Sequence, residues 1–307
     1  MTGDHHGRSA GRATLLVRAV DGIQNDVASA VGGVVEETRN ARGLPNFFGI
    51  QRFGSIRPVN HVVGRALVDG DLERAVMTYI AKPFPDEPDD VKAVRQSVAE
   101  TYDFKEALKH MPVRLRYERA MLNHLAKYPN DFDGALGVLS TNLQKLFVHA
   151  YQSYLFNQML SSRLERGFPL GVGFDGDRVR ALDRERVRTV VPKNVHEVNQ
   201  SLAAGTASVQ MPVPGYDTAL SDGVIGQIER DVIASAGVNL DAFTIESCPR
   251  LASKGVMRNV LLPADIRFDV APDELAEDRM KVELRFFLPK GCYATTVLRE
   301  VMKTRLV

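Results

Sequence analysis

Aliphatic and polar positions change period several times along this chain. Ala13-Thr-Leu-Leu-Val-Arg-Ala-Val20 is a short aliphatic run stopped by Asp21-Gly22, which predicts a strand. Residues 25–39 switch to helical spacing, with Val27, Ala30, Val31, Val34 and Val35 on one side and Gly32-Gly33 weakening the turn between them. Helical spacing resumes from Val62 to Ile80, split near Gly70-Asp71, and again through Val113 to Lys127. The longest helical pattern runs from Leu143 to Arg166, where Leu143, Leu146, Phe147, Ala150, Tyr151, Tyr154 and Leu155 share a face. Gly167 and Pro169 end it. Residues 171–245 read as short strands and turns followed by a helix around Gly226 to Ala236. Strict alternation then returns in Lys281-Val-Glu-Leu-Arg-Phe-Phe-Leu-Pro289, which puts Val282, Leu284, Phe286 and Leu288 on one face of a strand. Pro289-Lys-Gly turns the chain into a last helix from about Tyr293 to Lys303.

A single strand near the start needs partners, either from far downstream or from residues absent here, and the simplest architecture pairs it with the strands near the end. The predicted class is therefore α+β, with a mixed or antiparallel sheet and a mostly helical, then mixed, middle inserted between its strands. Lys82-Pro-Phe-Pro-Asp-Glu-Pro-Asp-Asp90 reads as a Pro-rich acidic linker, the clearest boundary in the first half.

With 44% hydrophobic residues and 25% charged, the 307-residue chain is long enough for two domains and needs no disulfide or metal to hold a core. Cys248 and Cys292 lack a metal-ligand or redox spacing, which points to a reducing cytoplasm. No apolar run reaches bilayer length, so no membrane role is expected. The net charge of +1 decides nothing about nucleic acid, because affinity depends on local cation clusters. Two stretches are locally basic: Arg114, Arg116, Arg119 and Lys127, then Arg178, Arg180, Arg184, Arg186, Arg188 and Lys193. Either an RNA contact or a solvated face with interspersed carboxylates such as Glu118, Asp183 and Glu185 accounts for them.

Gly171-Val-Gly-Phe-Asp-Gly176 spells a dinucleotide fingerprint but follows a helix instead of a strand, so a pair of turns is the better reading. His5-His6 lacks a third ligand at useful spacing, and His61, His110, His124, His149 and His196 are scattered singly. The stretch Asn46-Phe-Phe-Gly-Ile-Gln-Arg-Phe-Gly54 stands apart, too Gly-rich for a helix and too aromatic for an ordinary loop. Asn46 offers a donor and an acceptor for a base edge or a backbone. Phe47, Phe48 and Phe53 offer flat apolar faces of the kind that hold a base pulled from its stack. Gln51 and Arg52 add directional donors. A tight aromatic turn packing the core explains the same residues.

The stretch resembles the N-x-F-G-x-Q-R-F-G signature of the TruD-like family of tRNA pseudouridine synthases. Three more segments are similar to that family in the same order: Phe147-Val-His-Ala-Tyr-Gln-Ser-Tyr-Leu-Phe-Asn157 with Arg163, Ser253-Lys-Gly-Val-Met-Arg258, and Leu288-Pro-Lys-Gly-Cys-Tyr-Ala-Thr-Thr-Val-Leu-Arg-Glu300. The resemblance spans nearly the whole chain, and the lengthened helical region is like that of archaeal members. It implies a pseudouridine-synthase catalytic domain from 1–84 and 247–307, a helical expansion at 85–140 and a TRUD insertion domain at 141–246. It implies conversion of a tRNA uridine, typically at position 13, to pseudouridine with no cofactor and no metal. By the same resemblance Phe48 would stack on the target base, Asn46 would contact the target nucleotide, and Tyr293 would close the pocket.

The family's catalytic aspartate lies in a G-x-K-D-x-x-A-x-T-x-Q motif upstream of the aromatic signature, and this chain contains no Lys-Asp pair. Gly3-Asp-His-His-Gly-Arg8, leading into Leu15-Leu-Val-Arg18, resembles a segment after that motif, so the nucleophile is expected upstream of residue 1. Asp4 and Asp21 do not sit in a matching context. A misplaced start, one half of a split enzyme, and a non-catalytic RNA-binding remnant remain open explanations.

Overall fold

The structure is a computed structural model and describes residues 11–182, 187–263, 265–289 and 291–303. Strand β1 (Gly11–Val20) leads into helix α1 (Gln24–Asn40) and the two-residue strand β2 (Leu44–Pro45). A helical run follows: α2 (Asn60–Val68), α3 (Leu72–Ala81), α4 (Asp89–Thr101), α5 (Phe104–His110), α6 (Arg116–Leu125), α7 (Phe132–Gly137) and α8 (Thr141–Glu165). Next come β3 (Arg178–Ala181), β4 (Val187–Thr189), α9 (Val195–Ala203), β5 (Ala207–Val213) and α10 (Gly223–Ser235). The last elements are β6 (Val256–Asn259), β7 (Leu261–Leu262), β8 (Arg267–Pro272), β9 (Met280–Leu288) and α11 (Ala294–Met302).

The early strand finds its partner at the far end of the sequence. β1 pairs antiparallel with β9, Leu15 opposite Leu284 and Val17 opposite Val282, and β8 flanks β9 on the other side. Alternation on β9 buries Val282, Leu284 and Phe286 under Val27, Val31 and Val35 of α1, which makes a small core of its own. A second sheet, in the order β4-β3-β5-β6, is antiparallel throughout. Its edge strand β6 comes from well beyond residue 246, and the next strand, β7, pairs with β2.

The larger core is organised by α8. Phe147, Leu155, Phe156, Met159 and Leu160 are fully buried, and burial extends around the helix well past the single face that the spacing predicts. Ser140 caps its N-terminus by accepting from the Leu143 N–H. The Pro-rich stretch before α4 is no loose connection. Glu87 is buried and, with Glu118 of α6, holds the fully buried Arg95 and the neighbouring Arg57 in a four-membered ion cluster. Arg95 also donates to the Tyr79 and Ile80 carbonyls, so its charge is met on several sides. The 171–176 glycines form turns, as their context predicts, and the buried Asp177 behind them takes two bonds from Arg163 at 2.5 and 2.9 Å.

Candidate nucleotide-binding cleft

The aromatic stretch enters the site from β2. The Asn46 N–H donates to the Val260 carbonyl at 2.8 Å, and the chain then passes Phe47 and Phe48 into a single 3-10 turn, Ile50–Arg52. Each of the other three sequence blocks reaches this bend. Asn157 of α8 clamps the Phe48 peptide, accepting from its N–H at 2.9 Å and donating to its carbonyl at 3.0 Å. Arg258 of β6 donates to the Asn46 side-chain oxygen at 2.6 Å and to its carbonyl at 3.1 Å. Thr295 donates to Gln51 at 3.1 Å, and Thr296 to the Phe47 carbonyl at 3.2 Å. The bend and the last block approach so closely that a Cβ on Gly49 would sit 2.4 Å from the Thr295 hydroxyl oxygen. Any side chain there would have to displace Thr295.

Beside this junction lies a cleft of about 600 Å³, a volume ordinary for a small-ligand site. Asn46, Phe48 and Arg52 line it. Gln51 is exposed next to it, and the Tyr293 ring meets Phe48 from behind at 6.1 Å, tilted by 62°. The five residues predicted from sequence are therefore brought to one place. Asn46 is nonetheless committed to the protein: its side-chain nitrogen donates to the Asn259 carbonyl at 2.8 Å while its oxygen is held by Arg258. Phe48 is only 9% exposed, with the Arg258 guanidinium 4.0 Å from its centroid and Phe156 edge-on at 5.6 Å. Asp21, by contrast, is exposed, pairs with Arg279 and does not line the cleft; Asp4, His5 and His6 lie outside the described residues.

The charged side chains that line the cleft have one sign, although Lys254 pairs at 4.0 Å with Asp217, which is not among the lining residues. Arg52, Arg180, Lys254 and Arg258 line the cleft, and among the described lining residues there is no aspartate or glutamate. Arg258 makes its hydrogen bonds to carbonyl and amide oxygens, and burial, the leading influence, pulls its pKa down. The Arg52 Nε is buried without a hydrogen-bond partner among the described residues. His149 is exposed at the mouth, yet the protein packed around its ring lowers its pKa, and repulsion from Arg52 and Lys145 adds to the effect. Burial, partly offset by Arg258 and by a hydrogen bond to Asn46, raises the Cys292 thiol. Among the described residues no cluster of three metal-ligating side chains occurs, and no helix is long and apolar enough to cross a membrane.

Sequence reasoning did not single out Arg258, Asn157 or His149 for the site, although all three lie inside the blocks that carried the resemblance. Their signal was position within those blocks. Their partners became visible only in three dimensions.

Fold and cleft together define an α+β protein with a cationic, aromatic-backed cleft of nucleotide size. Residues 9–301 match the profile of tRNA pseudouridine synthase D (TruD). A protein of Methanosarcina mazei named as a probable tRNA pseudouridine synthase D is 44% identical over 295 residues, covering 94% of this chain and 67% of the relative. A Methanosarcina acetivorans protein of the same name is 48% identical over 267 residues, 85% of this chain and 60% of the relative. A crystal structure assigned as Methanosarcina mazei TruD superposes with a TM-score of 0.89 at 43% identity, covering 99% of this chain and 70% of that one. The chain belongs to the tRNA pseudouridine synthase D family, and it spans roughly two thirds or less of the length of these two curated relatives.

Proposed function

We propose that this chain forms the substrate-holding part of a tRNA pseudouridine synthase, in which the cleft beside Asn46, Phe48 and Arg258 receives a uridine turned out of tRNA. The observation that carries the reading is the convergence of all four family blocks on one cleft lined by cations and, among the described residues, by no carboxylate. A cleft of that sign attracts a phosphate-bearing strand, and planar groups at its wall suit an unstacked base. Outside it, Arg114, Arg116 and Lys127 are exposed and form no ion pair among the described residues. Exposed Tyr117 and Tyr128 lie nearby in sequence, a composition that suits a phosphate backbone.

The isomerisation breaks the bond between ribose C1′ and uracil N1 and joins C1′ to C5 of the same base, C5 giving up its proton and N1 gaining one. The resemblance assigns its start to an aspartate in a G-x-K-D-x-x-A-x-T-x-Q segment. In this reading residues 1–84 and 247–307 belong to the catalytic unit, 85–140 to the helical expansion and 141–246 to the insertion. The test is pseudouridine detection by mass spectrometry in tRNA incubated with the protein. This sequence, which holds no Lys-Asp pair, is expected to bind tRNA without converting it, and a polypeptide that also carries the Lys-Asp segment is expected to convert it. A well-folded longer polypeptide that forms no pseudouridine defeats the reading.

A further inference from the structure

A base entering the cleft does not meet a bare aromatic ring. Phe48 is 9% exposed, and Arg258 covers it at 4.0 Å from the centroid. Phe156 and Tyr293 meet the ring edge-on at 5.6 and 6.1 Å. Arg258 itself is half-buried and lines the cleft. Resting on the reading of this cleft as the uridine pocket, we propose that the guanidinium plane of Arg258 is the surface on which the turned-out pyrimidine lies, with Phe48 as its backing.

Three features of the geometry support this assignment. First, the guanidinium is pinned. Its Nε donates to the Asn46 carbonyl at 3.1 Å, one terminal nitrogen to the Asn46 side-chain oxygen at 2.6 Å and the other to the Gly291 carbonyl at 3.0 Å. These bonds take three of the five N–H groups an arginine carries and tie β6 to both the aromatic bend and the last block. Second, exposing Phe48 by swinging Arg258 aside would break all three bonds and leave the buried Asn46 without the donor to its side-chain and main-chain oxygens. Third, none of these acceptors is a carboxylate, so the plane keeps a charge available to a nucleotide. A guanidinium stacks on bases as an aromatic ring does, and its flat fork separates it from lysine, which carries the charge without the plane.

The experiment binds tRNA transcribed with 5-fluorouridine in place of uridine to the 307-residue protein and follows the fluorine spectrum, with variants checked by circular dichroism. The wild-type complex is expected to show a new resonance absent from free tRNA. Arg258→Lys is expected to lose that resonance while overall tRNA affinity falls by about tenfold or less, because stacking of one base is a small part of a phosphate-driven complex. Arg258→Gln, planar but uncharged, is expected to retain more of the signal than Arg258→Lys. Phe48→Leu, which keeps an apolar backing, is expected to retain it too. Survival of the resonance in Arg258→Lys, its loss in Phe48→Leu, or equal loss in the two Arg258 variants overturns the assignment. A wild-type complex that binds tRNA and shows no new resonance instead removes the uridine-pocket reading, and this inference with it.

Discussion

Two histidines show how strongly single side chains feel their surroundings here. His61 lies 5.0 Å from Tyr154 in a near-parallel stack and 5.5 Å from Phe53 edge-on. Its Nδ1 is buried without a hydrogen-bond partner among the described residues. Burial, then repulsion from Lys82, lowers its pKa; His149, exposed at the cleft mouth, is lowered by the protein packed around its ring, then by Arg52 and Lys145. Both folded values lie below the ordinary 6.5, so the unfolded chain takes up protons that the fold resists. The resulting stability is fully present above 6.5 and is lost as pH falls through that value toward the folded pKa. Thermal midpoints between about pH 7.5 and 5.5 are expected to fall in the wild type and to fall less in a variant carrying His61→Phe and His149→Gln. Parallel profiles for the two proteins would contradict this account.

Among elements, the crossing of α2 and α8 is a tight joint. A Cβ on Gly64 would lie 2.0 Å from the Phe147 carbonyl oxygen and 3.0 Å from the Tyr151 Cβ. Gly64→Ala is therefore expected to cost about 3 kcal/mol in urea unfolding through overpacking. Gly33, in the middle of α1, has nothing within 4 Å of the place a methyl would take, and Gly33→Ala is expected to stabilise by about 0.5–1 kcal/mol. The chain spells both residues alike, and only the neighbours differ. Much of the element pattern was legible because it rests on local periodicity: β1, α1, the break at Gly70-Asp71, α8 and β9 all follow from spacing. What spacing could not show is pairing between distant residues. The stretch around Glu87 read as a linker because Pro and acid dominate it, while its role depends on Arg95 and Glu118, which come later in the chain. The sequence left Phe48 either as a face for a base or as part of a packed turn for the same reason: its cover, Arg258, lies far along the sequence on β6.

On the scale of the whole molecule, the proposed tRNA reading separates the cleft from a wider contact surface. Arg119 is occupied in bonding the Leu108 and Met111 carbonyls, while Arg114 and Arg116 are exposed and form no ion pair among the described residues. Replacing both by alanine is expected to weaken tRNA binding uniformly across sequences and to reduce the slope of log affinity against log salt by about 2. An unchanged slope, measured by titration at several salt concentrations, would place the RNA elsewhere. The cleft itself has an unusual seam. At Val260, between β6 and β7, one residue's N–H donates to the Val209 carbonyl in the four-stranded sheet while its own carbonyl accepts from Asn46 in the aromatic bend. Both banks of the cleft are thus stitched to a single residue, which works as a shared spine: sliding one side past the other breaks that residue's bonds, so under the proposed reading the width offered to an RNA strand is tied to one peptide unit.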